Sequence, residues 1–197
     1  MGILPIDFKH PLVVNAKLKA FFRFFKWQIK SRIFHINFVH TWVADAKFYV
    51  KKGETGLTQN IYVGLHEFND MSFLLHLLRK EDYFIDVGAN SGSYSILAGS
   101  VTGATVLALE PIPSTYARLA ANFELNGIKS PSRALNIGLG SSPGKLYMTS
   151  LLDTTNQIVF ENESVPSIEV EVGILDSVAS SMIPQLIKID VEGWESE

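Results

Sequence analysis

A turn with two glycines follows an acidic residue within residues 82–95, DYFIDVGANSGSYS. Asp86, Gly88, Asn90 and Gly92 stand two residues apart. Glycine adopts the left-handed backbone of a sharp turn, which asparagine tolerates better than most other residues. We expect Gly88 to make the turn and Gly92 to let a ligand approach without a Cβ atom in its way. The helix predicted next presents free N–H groups to the same space, so the pattern predicts a cradle for a ligand.

The spacing of this turn distinguishes two classes of nucleotide binder. The dinucleotide pattern G-x-G-x-x-G, counted from Gly88, needs glycine where this chain has Asn90 and Ser93. The order acid, glycine, asparagine, glycine is instead a variant of the turn typical of S-adenosylmethionine binders. An acid there suits the ammonium group of a methionine moiety better than it suits a phosphate. A nicotinamide-dependent oxidoreductase is therefore the weaker alternative.

Further acids stand at the ends of predicted strands. Glu110 comes 18 residues after Gly92, where a carboxylate can accept hydrogen bonds from both ribose hydroxyls. Asp190 and Glu192 stand at the end of a later strand that we expect beside the first one. Because the carboxyl ends of neighbouring parallel strands meet in one crevice, these two acids are predicted to face the reactive end of the cofactor. Each feature alone also fits a packing turn or a solvated acid, but their combined spacing favours a nucleotide site.

The elements that position these residues alternate between strand and helix, which indicates right-handed βαβ units and a parallel sheet. Strands are predicted at residues 83–87, 105–109, 134–139 and 186–191. Helices are predicted from Asn69 or Asp70 to about Lys80, over residues 93–101, and from a cap at Ser114 to just before Gly127. The first of these helices is expected to turn Phe73, Leu74, Leu77 and Leu78 inward. Two more strands, at residues 145–149 and 167–172, interrupt the alternation.

The first quarter of the chain is strongly basic. Residues 1–52 hold ten lysines and arginines against two acids, a charge of +8. Residues 53–197 hold seven basic against 18 acidic residues, a charge of −11. Residues 17–33 repeat apolar side chains every three or four positions beside a basic stripe, which predicts an amphipathic helix. We expect its aromatic side chains to pack on the domain; the alternative is an interfacial helix on an anionic membrane.

The chain is divided into two parts on these grounds. Residues 1–59 are predicted to form a basic arm with the amphipathic helix and an irregular β cap, since residues 47–51 and 60–65 alternate in short pieces broken by glycine. Residues 60–197 are predicted to form the cofactor-binding domain.

Three blocks, FIDVGANSGSYS, ALEPIPSTYARLAANFELNG and LIKIDVEGWE, resemble the signature blocks of FkbM-type S-adenosylmethionine-dependent methyltransferases. The segments GLHEFNDMSFLLHLL and ILDS are similar as well, and the likeness covers roughly residues 60–197. The resemblance implies an α/β, class I (Rossmann-like) methyltransferase fold, with a parallel sheet flanked by helices. It also implies methyl transfer to a hydroxyl oxygen on a glycan or secondary metabolite.

The resemblance further implies roles for individual residues. S-adenosyl-L-methionine would contact Glu67, Asp86, Gly88, Ala89, Asn90, Gly92, Glu110, Pro111, Ile112 and Asn136, with Pro111 and Ile112 beside the adenine. Asp190 and Glu192 would face the methyl-transfer site, where either can take the proton of the acceptor hydroxyl. His66 is a lesser candidate for that base.

Composition excludes several other classes. The chain has no cysteine, which excludes disulfides, thiolate zinc sites and cysteine nucleophiles. No metal cluster is predicted, and an acidic body argues against nucleic-acid binding. No apolar run approaches the roughly 20 residues that span a bilayer, and no signal peptide is recognised. We therefore expect a cytoplasmic protein with a small-molecule or glycan acceptor, peripheral to the inner membrane face if residues 17–33 bind lipid.

The fold class that the resemblance implies has more strands than this chain supplies. We therefore expect a C-terminally truncated domain, and the sequence leaves its activity open. The alternative function is a non-catalytic methyltransferase-like module, or an inactive fragment, attached to a membrane or partner by the basic arm. The acceptor and the oligomeric state are not encoded in any motif.

Overall fold

The computed structural model describes residues 6–33, 38–50, 55–149, 158–159, 166–180 and 182–191. Its helices are α1 (Lys17–Ile33), α2 (Thr55–Val63), α3 (Phe68–Leu77), α4 (Ser93–Ile96), α5 (Pro113–Leu125) and α6 (Leu175–Ala179). Its strands are β1 (Phe38–Thr41), β2 (Lys47–Val50), β3 (Tyr83–Val87), β4 (Thr105–Leu109), β5 (Arg133–Leu135), β6 (Gly138–Leu139), β7 (Gly144–Thr149), β8 (Ile158–Val159), β9 (Ser167–Gly173) and β10 (Leu186–Ile189). A 3₁₀ turn spans Val43–Asp45, and α4 continues as the π-helical segment Leu97–Thr102.

The main sheet has the order β10-β3-β4-β5, and all of its pairings are parallel. From β3 the chain proceeds to β4 and β5 on one side, whereas β10 pairs on the other side. The strand order therefore switches at β3, and ligands of open parallel sheets bind at such a switch, beyond the carboxyl ends of the strands. The architecture is Rossmann-like, and it confirms the predicted α/β fold with β10 beside β3.

The two faces of this sheet carry separate apolar clusters. Phe84, Val106 and Ala108 face α3, α4 and α5, where Leu74, Leu97 and Leu119 are fully buried. The alternate residues, such as Ile85 and Leu107, face α6. Both faces are covered, so β3 and β4 are nearly continuous apolar runs rather than alternating ones.

The strand predicted at residues 134–139 is wrong as a single element. The chain pairs as β5 in the main sheet, leaves it at Asn136, and pairs again as β6 in a second sheet of order β6-β9-β7-β8. The Asn136 side chain donates hydrogen bonds to the backbone carbonyls of Glu110 and Pro111, at 2.8 and 2.7 Å. These two hydrogen bonds form directly after Leu135, where the pairing of β5 with β4 ends.

Other predicted elements also differ from the structure. Residues 60–65 were predicted to alternate as a strand, but most of them belong to α2, whose buried Leu57 and Ile61 stand four residues apart. A short apolar run fits the two-residue period of a strand and the 3.6-residue period of a helix equally well, which explains the error.

Side chains near two other helix positions also differ from the prediction. Phe73 was expected inside but is 58% exposed, because Met71, Leu74 and Leu78 define the inner face of α3. Helix α5 begins at Pro113 without a side-chain cap, so Ser114 is not the cap.

The N-terminal residues share a core with the rest of the molecule. Buried Val13, Ala20, Trp27 and Phe48 form a cluster with residues of α2 and with Ile96. The β1–β2 hairpin is antiparallel. The domain boundary predicted between residues 59 and 60 falls within α2, and the division into two domains stays a prediction.

Candidate functional site

A cavity of about 520 Å³ lies at the carboxyl ends of β3, β4 and β10. Several elements converge on it. Its lining comprises Leu57, Gln59, Asn60, His66, Glu67, Met71, Gly88, Ala89, Asn90, Ser91, Ser93, Tyr94, Glu110, Pro111, Ile112, Thr115, Met148, Lys188, Asp190 and Val191. The position is the crevice that the switch in strand order predicts.

The turn after β3 depends on Gly88. Its φ of +71° is left-handed, and a Cβ atom there would lie 2.0 Å from the backbone oxygen of Asp190. The N–H groups of Gly88 and Ala89 both donate to the carbonyl of Leu109, at 3.0 and 2.9 Å. The absence of a side chain therefore lets the turn after β3 lie directly against the end of β10, while the two N–H groups join the same turn to the end of β4.

The second half of the turn uses Asn90 and Gly92 differently. Asn90 has a φ of +50°, and its side-chain oxygen accepts hydrogen bonds from the N–H and hydroxyl of Ser91, at 2.6 and 3.0 Å. Gly92 was expected to admit a ligand, but it lies outside the cavity lining. A Cβ atom there would stand 2.7 Å from Leu119 Cδ1, so Gly92 makes room for α5 instead.

Glu110 is the acidic residue most tightly integrated into the cavity wall. One carboxylate oxygen accepts from the N–H of Asn90 and the other from the N–H of Ile112, both at 2.9 Å. The residue is 6% exposed. Burial raises the pKa of Glu110 to about 7, against the opposing effect of the two backbone donors. Each oxygen keeps a second lone pair, so the carboxylate can accept further hydrogen bonds from a ligand.

Asp86 lies one layer deeper than the cavity lining. It is 1% exposed, and its Oδ2 atom accepts a hydrogen bond of 2.6 Å from the hydroxyl of Ser95. Its Oδ1 atom is buried without a hydrogen-bond partner among the described residues, 3.8 Å from the ammonium nitrogen of Lys188. Burial raises the pKa of Asp86, and the charge of Lys188 partly opposes that rise.

Lys188 was not assigned a role from the sequence, although the structure gives it a central position. Its Nζ atom is 3.2 Å from Asp190 Oδ2 and 5.1 Å from the centre of the Tyr94 ring. Burial alone would lower the pKa of Lys188, but the charges of Asp86 and Asp190 outweigh it and raise that pKa. The pairing of the two strands could have identified Lys188 as a site residue. Lys188 lies opposite Asp86 in the parallel register, so both side chains are on the same face of the sheet.

The matched family model decides the relationship. The "Methyltransferase FkbM domain" model matches residues 86–197, more than half of the chain. The chain belongs to the FkbM methyltransferase family. Membership confirms the family expected from the three sequence blocks, and S-adenosylmethionine is the cofactor of that family.

Three methyltransferases are similar to this chain in sequence. They are methyltransferase sdnD of Sordaria araneosa, methyltransferase 1 of Beauveria bassiana and hexuronic acid methyltransferase AglP of Haloferax volcanii. The identities are 36% over 83 residues, 29% over 142 and 31% over 129. These matches cover 42%, 59% and 63% of this chain. The chain spans 32%, 57% and 51% of the length of these relatives.

Solved structures are more distant. The TYW2 protein of P. horikoshii, in complex with MeSAdo, has 19% identity and a TM-score of 0.44, over 53% of this chain and 37% of that chain. This similarity is low, and the fold described above follows from the sheet order of the chain itself.

The other residues expected to bind the cofactor of FkbM methyltransferases occupy different positions. Ala89, Pro111 and Ile112 line the cavity. Glu67 also lines it, and its carboxylate accepts a hydrogen bond of 2.8 Å from the Tyr94 hydroxyl. Asn136 lies outside the lining, where it holds the segment after β4.

The two carboxylates expected at the methyl-transfer site of this FkbM domain have different outcomes. Asp190 lines the cavity beside Lys188. Glu192 lies outside the described residues. His66, the lesser candidate for a base, also lines the cavity. Within the described ranges, no group of three or more histidine, aspartate or glutamate side chains is arranged to bind a metal ion.

Proposed function

We propose that this domain binds S-adenosylmethionine in the cavity and transfers its methyl group to a hydroxyl oxygen of a glycan or other small molecule. The observation that carries the proposal is the joint position of Glu110, Asp86 and Lys188. They stand near the ends of three adjacent parallel strands of a methyltransferase-family domain. Glu110 and Lys188 line one cavity, and Asp86 lies behind that lining, 3.8 Å from the Lys188 ammonium.

The residues at this site fit the cofactor. The Oδ1 atom of Asp86 is buried behind the cavity lining and has no hydrogen-bond partner among the described residues, so the carboxylate keeps negative charge available near the cavity. Lys188 stands beside it with an ammonium group. The methionine end of S-adenosylmethionine carries both an ammonium and a carboxylate. Lys188 lines the cavity and suits the carboxylate, while the negative charge of Asp86 behind it favours the ammonium.

The nucleoside end has suitable contacts as well. Glu110 offers free lone pairs to the two ribose hydroxyls, as expected from its place after the second strand. Pro111 and the buried Ile112 offer an apolar surface to the adenine ring. The cavity volume of about 520 Å³ falls within the usual range for small-molecule sites.

The chemistry demands mainly alignment. The bound cofactor supplies an electrophilic methyl group on a sulfonium. The chain contributes by holding donor and acceptor in line and by excluding water, which accounts for a large share of the rate in such reactions. Asp190, which borders the cavity, is the candidate to accept the hydroxyl proton, with the Lys188 ammonium 3.2 Å away to balance its charge.

We infer the chemical class of the acceptor from cavity-lining residues that are not assigned to the cofactor. Gln59 and Thr115 line the cavity and carry polar groups suited to a polyhydroxylated molecule. The relative AglP is a hexuronic acid methyltransferase, which supports a sugar acceptor. Met148 from the second sheet also borders the cavity and supplies an apolar contact.

Isothermal titration with S-adenosylmethionine and S-adenosylhomocysteine tests the cofactor site. The wild-type chain should release heat with both ligands, and Glu110→Ala should weaken binding at least about tenfold, because two charge-assisted hydrogen bonds are lost. The matched control is Glu124→Ala on the exposed side of α5, which should bind normally. A folded wild-type sample that gives no heat would favour the non-catalytic alternative.

The acceptor atom is tested with the methyl-labelled cofactor and a panel of sugars and hydroxylated metabolites. A labelled product that survives mild alkali is a methyl ether and supports transfer to a hydroxyl. A product hydrolysed by alkali is a methyl ester, which would replace the hydroxyl by a carboxylate acceptor.

A further inference from the structure

Helix α1 has two apolar faces on opposite sides. Ala20 and Trp27 are buried, and the ring of Phe24 packs 5.2 Å from that of Tyr62 in α2. Leu18, Phe22, Phe25 and Ile29 lie on the other side of the helix, where they are 75%, 67%, 53% and 50% exposed. Their spacing of four, three and four residues aligns them in one stripe, roughly half a turn from the buried residues.

The exposed stripe overturns one prediction from the sequence. Its aromatic residues were expected to pack on the domain, but Ala20, Phe24 and Trp27 provide the packing instead. Phe21 borders the stripe, with its ring 5.7 Å from that of Phe25. Soluble proteins rarely expose a continuous apolar surface of this kind unless a partner or a membrane covers it.

A basic flank runs along the same stripe. Lys19, Lys26 and Lys30 follow one side at spacings of seven and four residues. The helix contains no acidic residue. The basic residues of α1 also act on His40. Burial lowers the pKa of His40 to about 4, and the positive charges of Lys30, Arg23 and Lys26 contribute to the same shift.

We propose that this stripe of α1, formed by Leu18, Phe22, Phe25 and Ile29, is an interfacial anchor that inserts into the surface of an anionic lipid bilayer. An apolar wedge flanked by lysines is the arrangement that binds the boundary between acyl chains and anionic headgroups. A second copy of the chain is the less suitable occupant, because it would bring two like-charged flanks together.

The anchor lies in the plane of the bilayer rather than across it. None of the described helices combines the length and the apolar character that crossing would require. The opposite face of α1 is held by the core, so the stripe is displayed on a rigid element. Helix α2, which packs against α1, carries the cavity residues Leu57 and Asn60, so the cavity wall is one helix away from the anchored surface.

Vesicle co-sedimentation of the full chain tests the anchor. The vesicles contain phosphatidylcholine alone or phosphatidylcholine partly replaced by phosphatidylglycerol. The wild type should bind the anionic vesicles, and Phe22→Ser with Phe25→Ser should lower the bound fraction at least about tenfold, because two aromatic rings no longer leave water. The matched control is Phe73→Ser, which removes an equally exposed ring on α3 and should bind like the wild type.

The electrostatic part has its own variant. Lys19→Glu with Lys26→Glu should reduce binding to anionic vesicles by about fivefold or more for each residue, and added salt should weaken the wild type. Point substitutions are preferable to removal of residues 1–33, since that segment contributes Val13, Ala20 and Trp27 to the core. Circular dichroism confirms that each variant is folded.

Two results would overturn the anchor. One is equal binding of the wild type and the double serine variant to anionic vesicles. The other is the absence of binding to anionic vesicles by a folded wild type; concentration-dependent dimerisation that the serine variant abolishes would then assign the stripe to a second copy.

Discussion

Glu110 combines near-complete burial with a role at the wall of the cavity. Its carboxylate is stabilised by the N–H groups of Asn90 and Ile112 but destabilised by burial, and the net result is a pKa raised to about 7. An ordinary glutamate has a pKa of about 4.3. The residue therefore changes charge near neutral pH, and any ligand that needs the carboxylate will bind in a pH-dependent manner.

The affinity for S-adenosylhomocysteine should fall as the pH drops below about 7. Ribose hydroxyls donate to the carboxylate form, so a protonated Glu110 must release its proton on binding. The loss approaches tenfold for each pH unit below the pKa if only the carboxylate form binds. Titration calorimetry across this pH range measures it, and buffers of different ionisation enthalpy report the proton released.

The control for this pH dependence is Glu110→Gln, in which the slope rather than the absolute affinity is compared. Glutamine does not titrate, so the part of the slope due to Glu110 should disappear. Asp86 and Lys188 interact electrostatically with Glu110, so the comparison isolates only the part of the slope that is due to Glu110. An unchanged slope in the variant would contradict the assignment.

At the scale of elements, the cavity depends on how closely three strand ends approach each other. Because Gly88 has no side chain, the turn after β3 lies directly against the backbone at the end of β10. The same turn donates hydrogen bonds to the carbonyl of Leu109 at the end of β4. The parallel register then places Lys188 directly across from Asp86. Strand pairing and a single glycine thus bring the charged groups to one edge of the sheet.

Gly88→Ala should lower the free energy of unfolding by more than about 2 kcal/mol, because a Cβ atom would collide with a backbone oxygen and the φ angle is strained. It should also weaken cofactor binding, since Asp190 must move. Gly144→Ala in β7 is the matched control, as no atom lies within 4 Å of the added Cβ and its effect should stay within about 0.5 kcal/mol. Urea denaturation and calorimetry measure both, and similar values for the two variants would refute the steric argument.

At the scale of the whole molecule, the β1–β2 hairpin is coupled to the turn after β3 through Asn122. This fully buried side chain accepts a hydrogen bond from the N–H of Tyr49 in β2, at 2.8 Å. Its amide nitrogen donates to the carbonyl of Ser91 in the turn after β3, also at 2.8 Å. One residue of α5 therefore ties together the hairpin of the basic arm and the wall of the cavity.

Asn122→Ala should destabilise the chain by roughly 2–4 kcal/mol, because one buried and one partly buried backbone group lose their partners. It should also reduce the affinity for S-adenosylhomocysteine, although Asn122 does not line the cavity. Asn126→Ala is the control, since its contacts to Lys47 are exposed and should contribute less. If both variants behaved alike in denaturation and binding, the coupling would be refuted.

Much of the main domain was predictable from local patterns. The strands at residues 83–87 and 105–109 and helix α1 have the predicted bounds, because their apolar runs and periodicities are long and bounded by clear turn residues. The predictions of a single strand at residues 134–139 and of an alternating β segment at residues 60–65 were wrong. Both segments are short, and their final pairing depends on contacts distant in sequence, such as Asn136 with the segment after β4.

By itself the sequence determined the family, the cofactor class and the positions of Asp86 and Glu110 at strand ends, since these depend on residue type and spacing along the chain. Tertiary structure alone decided that Gly92 makes room for Leu119 and that Lys188 joins Asp86. It also decided that α1 exposes the stripe that had been expected to pack inside. The physical reason is that burial and cross-strand register depend on which surfaces meet in the folded molecule, and periodicity along one helix cannot tell which of two apolar faces the core selects.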